Sequence, residues 1–289
     1  MISIIITAYK EAKTIRRAIE AILKSKIKEK YEILVFAPDN ETLNATEKYN
    51  VKAVKDKGKG KPAALNLAFR KAKGEILILT DGDVYLGKDA VKYMLDKFKD
   101  KNVGIVSGRP ISTDSSQTML GFWSHLLTDT AHKIRMERIR DRKMIVCSGY
   151  LYAFRKNLIK KIPEQALSED AVISHMVADQ GYKTQYAEKA HVFVKYPSNL
   201  HDWIIQKKRS AGGYNQLSYM VKGKERMRSF SKESAGIFKV LSYPKNLKEF
   251  LYTAALIFTR LYLWALIFVD INIKKKEFKK IWLRVESTK

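Results

Sequence analysis

Met1-Ile-Ser-Ile-Ile-Ile-Thr7-Ala-Tyr9-Lys-Glu11 and, further along, Glu75-Ile-Leu-Ile-Leu-Thr-Asp81-Gly-Asp83 share one pattern. Each is a short apolar run that stops abruptly at polar and acidic residues. A run of this length, rich in isoleucine and leucine, predicts a strand buried on both faces, as in parallel sheets. Tyr31-Glu-Ile-Leu-Val-Phe-Ala37 reads the same way and ends at Pro38-Asp39-Asn40, and Val51-Lys-Ala-Val54 predicts a shorter strand. Between them the period changes. Ile15, Ala18, Ile19, Ile22 and Leu23 fall at helical spacing over 11–24, and 62–73 predicts a helix with Pro62 in its first turn. Strands alternating with helices predict a doubly wound, mostly parallel α/β sheet. Ligands of such sheets bind beyond the carboxyl ends of the strands. Those ends carry Thr7–Glu11, Asp39 and Asp81–Asp83.

Composition narrows the classes. With 289 residues, 46% of them hydrophobic and only 6 prolines, the chain can build a full core and is not a disordered polymer. One cysteine, Cys147, excludes an intrachain disulfide framework and a Cys-cluster metal site. Lys and Arg number 55 against 30 Asp and Glu, a net charge of +25 that draws polyanions: nucleic acid, anionic membrane or phosphorylated small molecules. The N-terminal run lacks the basic flank and the length of a signal peptide.

The acids after the fourth strand, Asp81 and Asp83, supply the hard oxygen donors that a divalent cation prefers, and such ions commonly bridge to phosphate. Lys55-Asp-Lys-Gly-Lys-Gly-Lys61-Pro-Ala-Ala-Leu-Asn66 joins glycines, lysines and a helix start, a pattern suited to cradling a diphosphate. A solvated basic loop is the alternative reading. No G-x-x-x-x-G-K-[ST] phosphate loop occurs, and the histidines show no H-E-x-x-H spacing. His191, in the apparent strand Ala190-His-Val-Phe-Val194, is a further candidate neighbour of a metal.

The ordered set Thr7-Ala-Tyr9-Lys-Glu11, Asp39, Gly60-Lys61-x-x-Ala64-Leu65-Asn66, Asp81-Gly-Asp83, Ser148-Gly149 before Ala153-Phe-Arg155, Ser168-Glu169-Asp170 and Gln206-Lys-Lys-Arg209 resembles family 2 glycosyltransferases of the GT-A fold, over roughly residues 1–215. The resemblance implies an inverting enzyme that uses a nucleotide-diphosphate sugar. It implies that Thr7, Tyr9, Glu11 and Asp39 line the nucleotide pocket, with Asp39 receiving the base. Asp81 and Asp83 would hold the nucleotide, Asp83 through Mg²⁺ or Mn²⁺, and Asp170 would be the catalytic base. A cation together with Arg209 or Lys61 would neutralise the leaving diphosphate, and Gln206 and Arg209 match a Q-x-x-R-W motif of polysaccharide synthases. Ser210 stands where that motif has tryptophan. The expected acceptor is a glycan or glycolipid hydroxyl; a polyprenyl-phosphate acceptor on the same fold is the alternative. A nucleic-acid-binding protein would also account for the charge, but no recognition motif for nucleic acid is present.

The catalytic domain is expected over 1–220 and a basic, membrane-associated tail over 221–289. Met119 to Leu127 is apolar and aromatic, and His132 to Lys143 is strongly basic; together they predict an amphipathic helix. Phe250 to Val269 carries one charge, Arg260, and is long enough to span a hydrocarbon layer of about 30 Å. Lys274, Lys279, Lys280 and Arg284 alternate with Phe278, Ile281, Trp282 and Val285, a stripe suited to an anionic surface. The expected location is the cell membrane with the catalytic domain on the cytoplasmic side, where nucleotide sugars are.

Overall fold

All six residues of β1 (Ile2–Thr7) are buried, as are six of the seven in β2 (Tyr31–Ala37). Such strands are stable only with backbone partners on both edges and side-chain layers on both faces. The computed structural model, which describes residues 1–220, 240–269, 285, 287 and 288, supplies them. The strands that complete the sheet are β3 (Lys52–Lys55), β4 (Ile76–Asp81), β5 (Tyr85–Leu86), β6 (Val103–Ser112), β7 (Leu151–Arg155) and β8 (Lys183–Val194). Their order is β3-β2-β1-β4-β7-β6-β8-β5. The helices are α1 (Ile15–Leu23), α2 (Asn40–Asn44), α3 (Lys61–Lys71), α4 (Ala90–Lys97), α5 (Met119–Arg140), α6 (Glu169–Asp179), α7 (Leu200–Met220) and α8 (Leu247–Phe268).

The expected α/β sheet is present. Its first half is parallel: β1 pairs with β2 and β4, and β2 with β3. Its second half departs from the parallel pattern, since β7 runs antiparallel to both β4 and β6, and β5 antiparallel to β8. The sheet is therefore mixed. The parallel register sets Thr7 opposite both Phe36 and Asp81, which brings three strand ends to one edge. At the other end, buried Glu32 accepts hydrogen bonds from the Ser3 hydroxyl at 2.7 Å and the Lys73 N–H at 2.6 Å, and pairs with Lys52 at 2.7 Å. A one-residue slip would strand that carboxylate without donors, so the network fixes the register.

The chain divides into two compact units, Met1–Ile111 with Arg135–Val194, and Ser112–Ile134 with Lys195–Thr288. The first holds the sheet and a core in which Ala64, Leu65 and Ala68 of α3 and Ile173 and Val177 of α6 pack on Leu77, Leu79, Tyr152 and Phe154. In the second, Phe122, Trp123, Leu126, Trp203 and Leu256 form a buried cluster, and the Trp123 indole N–H donates to the Tyr252 carbonyl at 2.6 Å. Asn246 caps α8 by accepting from the Glu249 N–H at 3.0 Å.

The α8 helix has two apolar faces. Thr253, Leu256, Leu263 and Ile267 are buried, whereas Phe250, Leu251, Phe258, Leu261, Tyr262 and Phe268 are exposed. Among the described residues this is the one helix long and apolar enough to cross a membrane. The basic loop within 221–239 and the basic stripe over 274–284 lie outside the described residues. Leu256→Ala should cost about 2–5 kcal/mol of stability by opening a cavity in the tryptophan cluster, while Leu261→Ser on the outer face should change it by less than about 0.5 kcal/mol. Denaturant unfolding of both variants checks the contrast.

Candidate active site

The loop after β1 owes its shape to hydrogen bonds reaching across the sheet edge. The Ala8 N–H donates to the Phe36 carbonyl at 2.9 Å, and the Gly82 N–H to the Thr7 carbonyl at 3.1 Å. Lys10 adopts φ +52°, a left-handed conformation uncommon outside glycine. Its N–H donates to Asp39 Oδ2 at 2.8 Å, and the Glu11 N–H donates to the Thr42 hydroxyl oxygen at 2.8 Å. Asp39 caps α2, its Oδ1 accepting from the Thr42 N–H at 2.9 Å and from the Thr42 hydroxyl at 2.6 Å. Burial opposes the Asp39 charge, but these donors outweigh it and hold the carboxyl below its ordinary range. Thr7, Tyr9, Glu11 and Asp39 are thereby assembled into one rim, in which Tyr9 is 40% exposed.

Gly82 has a definite task. A Cβ there would overlap Glu11 Oε2 and crowd Ala8 and Ile15. The glycine of Asp81-Gly82-Asp83 therefore lets the Glu11 carboxylate lie against the backbone between two aspartates. The loop leading to α3 uses glycine differently, with φ +64° at Gly58 and +96° at Gly60 turning the chain into the helix start. No side chain caps α3, whose first residue is Lys61. A cation at a helix N-terminus is disfavoured by the helix dipole, so Lys61 needs anions.

It has two. The Lys61 ammonium lies 2.6 Å from Asp81 Oδ1 and 2.8 Å from Glu169 Oε1. Burial alone would push its pKa down; the two carboxylates overcome this and raise it above the ordinary lysine range. The Thr7 hydroxyl adds a hydrogen bond to the same Asp81 oxygen at 3.1 Å. Glu169 and Asp170 open α6, the end of a helix at which acids are favoured. Ser168 takes the N-cap position without a side-chain hydrogen bond.

Asp170 is the most perturbed acid of the group. Loss of water around it and the neighbouring Glu169 charge push its carboxyl up to about 6, against weaker lowering by the Ala171 N–H, Lys61 and Arg135. Gly149 gives it room, since a Cβ there would sit 3.3 Å from Asp170 Oδ2. The Ser174 hydroxyl ties the backbone together, donating to the Asp170 carbonyl at 2.6 Å while accepting from the Cys147 N–H at 3.0 Å. Burial drives the Cys147 thiol up to about 12, which leaves it a core residue and no nucleophile.

A model of glycosyltransferase like family 2 matches residues 1–213, which contain every residue just described. The chain belongs to glycosyltransferase family 2. It is 27% identical over 229 residues to the probable glycosyltransferase YdaM of Bacillus subtilis, covering 73% of this chain and 54% of that protein. It is 23% identical over 227 residues to the poly-beta-1,6-N-acetyl-D-glucosamine synthase of Staphylococcus aureus, covering 75% of this chain and 55% of the synthase. The chain thus spans about half the length of these curated relatives. Its fold is similar to that of the mannosyltransferase PcManGT from Pyrobaculum calidifontis, solved with GDP-Man and Mn²⁺, with TM-score 0.64, 18% identity, and coverage of 96% of this chain and 88% of that one. It is also similar to S. aureus TarS 1-349, at TM-score 0.52, 18% identity, and coverage of 86% and 76%. These are GT-A enzymes by fold, as the sequence motifs imply for this glycosyltransferase.

In this glycosyltransferase, Thr7, Lys61 and Asp81 are directly linked, and Asp170 adjoins Glu169 in the same unit. Asp83 follows β4, half-buried, one residue past Gly82. Gln206 and Arg209 share one face of α7, in the second unit, with Gln206 Oε1 buried. His191 lies on β8 against Phe193, where burial and then the Arg109 charge lower its pKa. Among the described residues no group of three or more His, Cys, Asp or Glu side chains is arranged to hold a metal. Asp81 and Asp83 nevertheless fit Mg²⁺ or Mn²⁺ as a pair of hard ligands whose ion would take its other oxygens from phosphate and water. Glu169 joins this group through Lys61, and Tyr152 lies in the core beneath α3 and α6. The sequence signal for Glu169 is its place beside Asp170, whereas Tyr152 reads only as one apolar position of a strand.

The raised Asp170 pKa is also a stability statement. Between about pH 4 and 6 the folded protein keeps a proton that the unfolded chain has lost, so Asp170 costs progressively more stability as pH rises through this window. Asp170→Asn should therefore raise the melting temperature at pH 7–8, and the gain should vanish below about pH 4. Thermal melts of both proteins across pH check this.

Proposed function

We propose that the protein transfers a sugar from a nucleotide-diphosphate sugar to a hydroxyl of a glycan or glycolipid acceptor, with inversion at the anomeric carbon. The observation that carries this reading is the Lys61 bridge from Asp81 to Glu169, with Asp170 adjoining it at the start of α6. The rim of Tyr9, Glu11 and Asp39 suits a nucleoside: an exposed aromatic ring for stacking, and fixed carboxylates as hydrogen-bond acceptors. The open N-terminus of α3 and the Lys61 ammonium suit the diphosphate. Its carbohydrate-synthase relatives and the nucleotide-sugar complexes of the solved neighbours support the same assignment.

Each group then has a physical role. Asp170, ionised above pH 6, accepts the proton of the attacking hydroxyl as the new glycosidic bond forms. A carboxylate raised to this range is a stronger base than an ordinary aspartate. The sugar–phosphate bond breaks at the same time, and negative charge grows on the nucleoside diphosphate. Lys61 moves from the carboxylates to that charge and stabilises it. Asp83 and Asp81 would hold Mg²⁺ or Mn²⁺, which supplies further positive charge to the diphosphate. Gln206 and Arg209 remain candidate donor- or acceptor-binding residues in our reading of residues 1–220 as the catalytic region.

We assign the remaining residues, 221–289, to attachment at the cytoplasmic face of the cell membrane. The exposed apolar face of α8 supports this reading, as does the excess of basic residues over acidic ones.

Release of nucleoside diphosphate from a panel of nucleotide sugars, with candidate glycan acceptors, tests the activity. Asp170→Asn should leave donor affinity nearly unchanged and lower kcat by about 10²–10⁴; excess chelator should abolish transfer. Removal of residues from Lys245 onward would strip cover from the tryptophan cluster, so surface changes test attachment more cleanly. Phe258→Ser, Leu261→Ser and Tyr262→Ser combined should keep the melting temperature within about 2 °C but sharply reduce flotation with anionic vesicles. Undiminished flotation would remove α8 from the attachment surface.

A further inference from the structure

Tyr152 carries the least explained polar atom in the catalytic unit. The residue is fully buried, and its hydroxyl has no hydrogen-bond partner among the described residues. An orphaned hydroxyl of this kind is destabilising, a cost that phenylalanine would avoid. The ring is held firmly. It lies opposite Leu79 across the β4–β7 pair and stacks on Phe154 at 6.5 Å with a 19° interplanar angle. Ala64 and Leu65 of α3 and Ile173 of α6 belong to the same buried cluster. These two helices are the ones that begin with Lys61 and Glu169, the ion pair at 2.8 Å. Burial above all, and then the charges of Glu169, Asp170 and Asp81, push the phenol well above its ordinary range, so it stays a neutral donor.

We propose that Tyr152 is a positioning residue for Glu169: its hydroxyl becomes the hydrogen-bond donor to that carboxylate when Lys61 leaves it for the donor diphosphate. This rests on the reading of Lys61 as a diphosphate ligand. While the ammonium pairs with Asp81 and Glu169 together, the phenol has no hydrogen-bonding role among the described residues. Once the ammonium turns to phosphate, two carboxylates would otherwise remain in a water-poor site beside a third, Asp170. A neutral O–H can then stabilise Glu169 without competing for phosphate, which a second cation at that position would do. Glu169 stays in place, and with it the first turn of α6 that carries the base. No proton is transferred; a hydrogen bond is exchanged for an ion pair.

The exchange can be triggered without any ligand. In an otherwise natural chain, Tyr152→Phe should leave the melting temperature unchanged or raise it, because only an unpaired hydroxyl is lost. In a Lys61→Met chain the same change should lower it by about 2–5 °C, because the hydroxyl has taken over Glu169. Equal effects in the two backgrounds would overturn the proposal and leave Tyr152 as core packing. Should Lys61→Met fail to fold, calorimetric titration with inorganic pyrophosphate and Mg²⁺ decides instead. Tyr152→Phe should then bind about ten-fold or more weakly than the natural chain; equal binding, or none by either protein, overturns the proposal. The stability cycle uses no donor, so its failure is distinct from a failure of sugar transfer.

Discussion

A single ammonium group joins the parts of the catalytic unit that chain topology leaves apart. Lys61 begins α3, Asp81 ends β4, and Glu169 begins α6; the two contacts of 2.6 and 2.8 Å gather a strand end and two helix starts at one point. Desolvating these groups is expensive, and the attraction compensates only while all partners remain in place. The fold supplies that constancy. The parallel register of β1 and β4 fixes Asp81 beside Thr7, and the core beneath α3 and α6 fixes the two helix starts.

The same geometry separates two neighbouring acids by environment. Glu169 faces a cation, while Asp170 has lost water, feels its neighbour's negative charge and rises to about 6. One acid is paired with a lysine as part of the scaffold; the other is the acid we propose as the base. Tyr152 keeps a neutral hydroxyl buried in the same core cluster, where a further charge would be costly. The second unit has a different physical character. Its tryptophan cluster uses one face of α8 and leaves the opposite apolar face exposed, an arrangement that suits a helix lying on a lipid surface better than one solvated on all sides.

The sequence by itself determined strands β1 to β4, helices α1, α3, α5 and α8, and the family. Isoleucine-rich runs ending in acids, with period-3.6 segments between them, can bury their residues only as a layered α/β sheet, because each period is a local property of the backbone. Thr7, Glu11, Asp39, Lys61, Asp81 and Asp83 were legible because strand ends and glycine loops have fixed places in such a sheet. Tertiary structure decided what these residues touch. That Gly82 makes room for Glu11, that Lys61 pairs with Glu169, and that the Tyr152 hydroxyl is buried without a partner among the described residues all depend on segments far apart in the chain. The antiparallel course of β7 likewise belongs to the sheet, since an apolar run such as Leu151–Arg155 has no direction of its own. Short-range periodicity fixes which face of an element is apolar; only the packed fold fixes which charge meets which, because Coulomb and desolvation energies depend on separation in space and not in sequence.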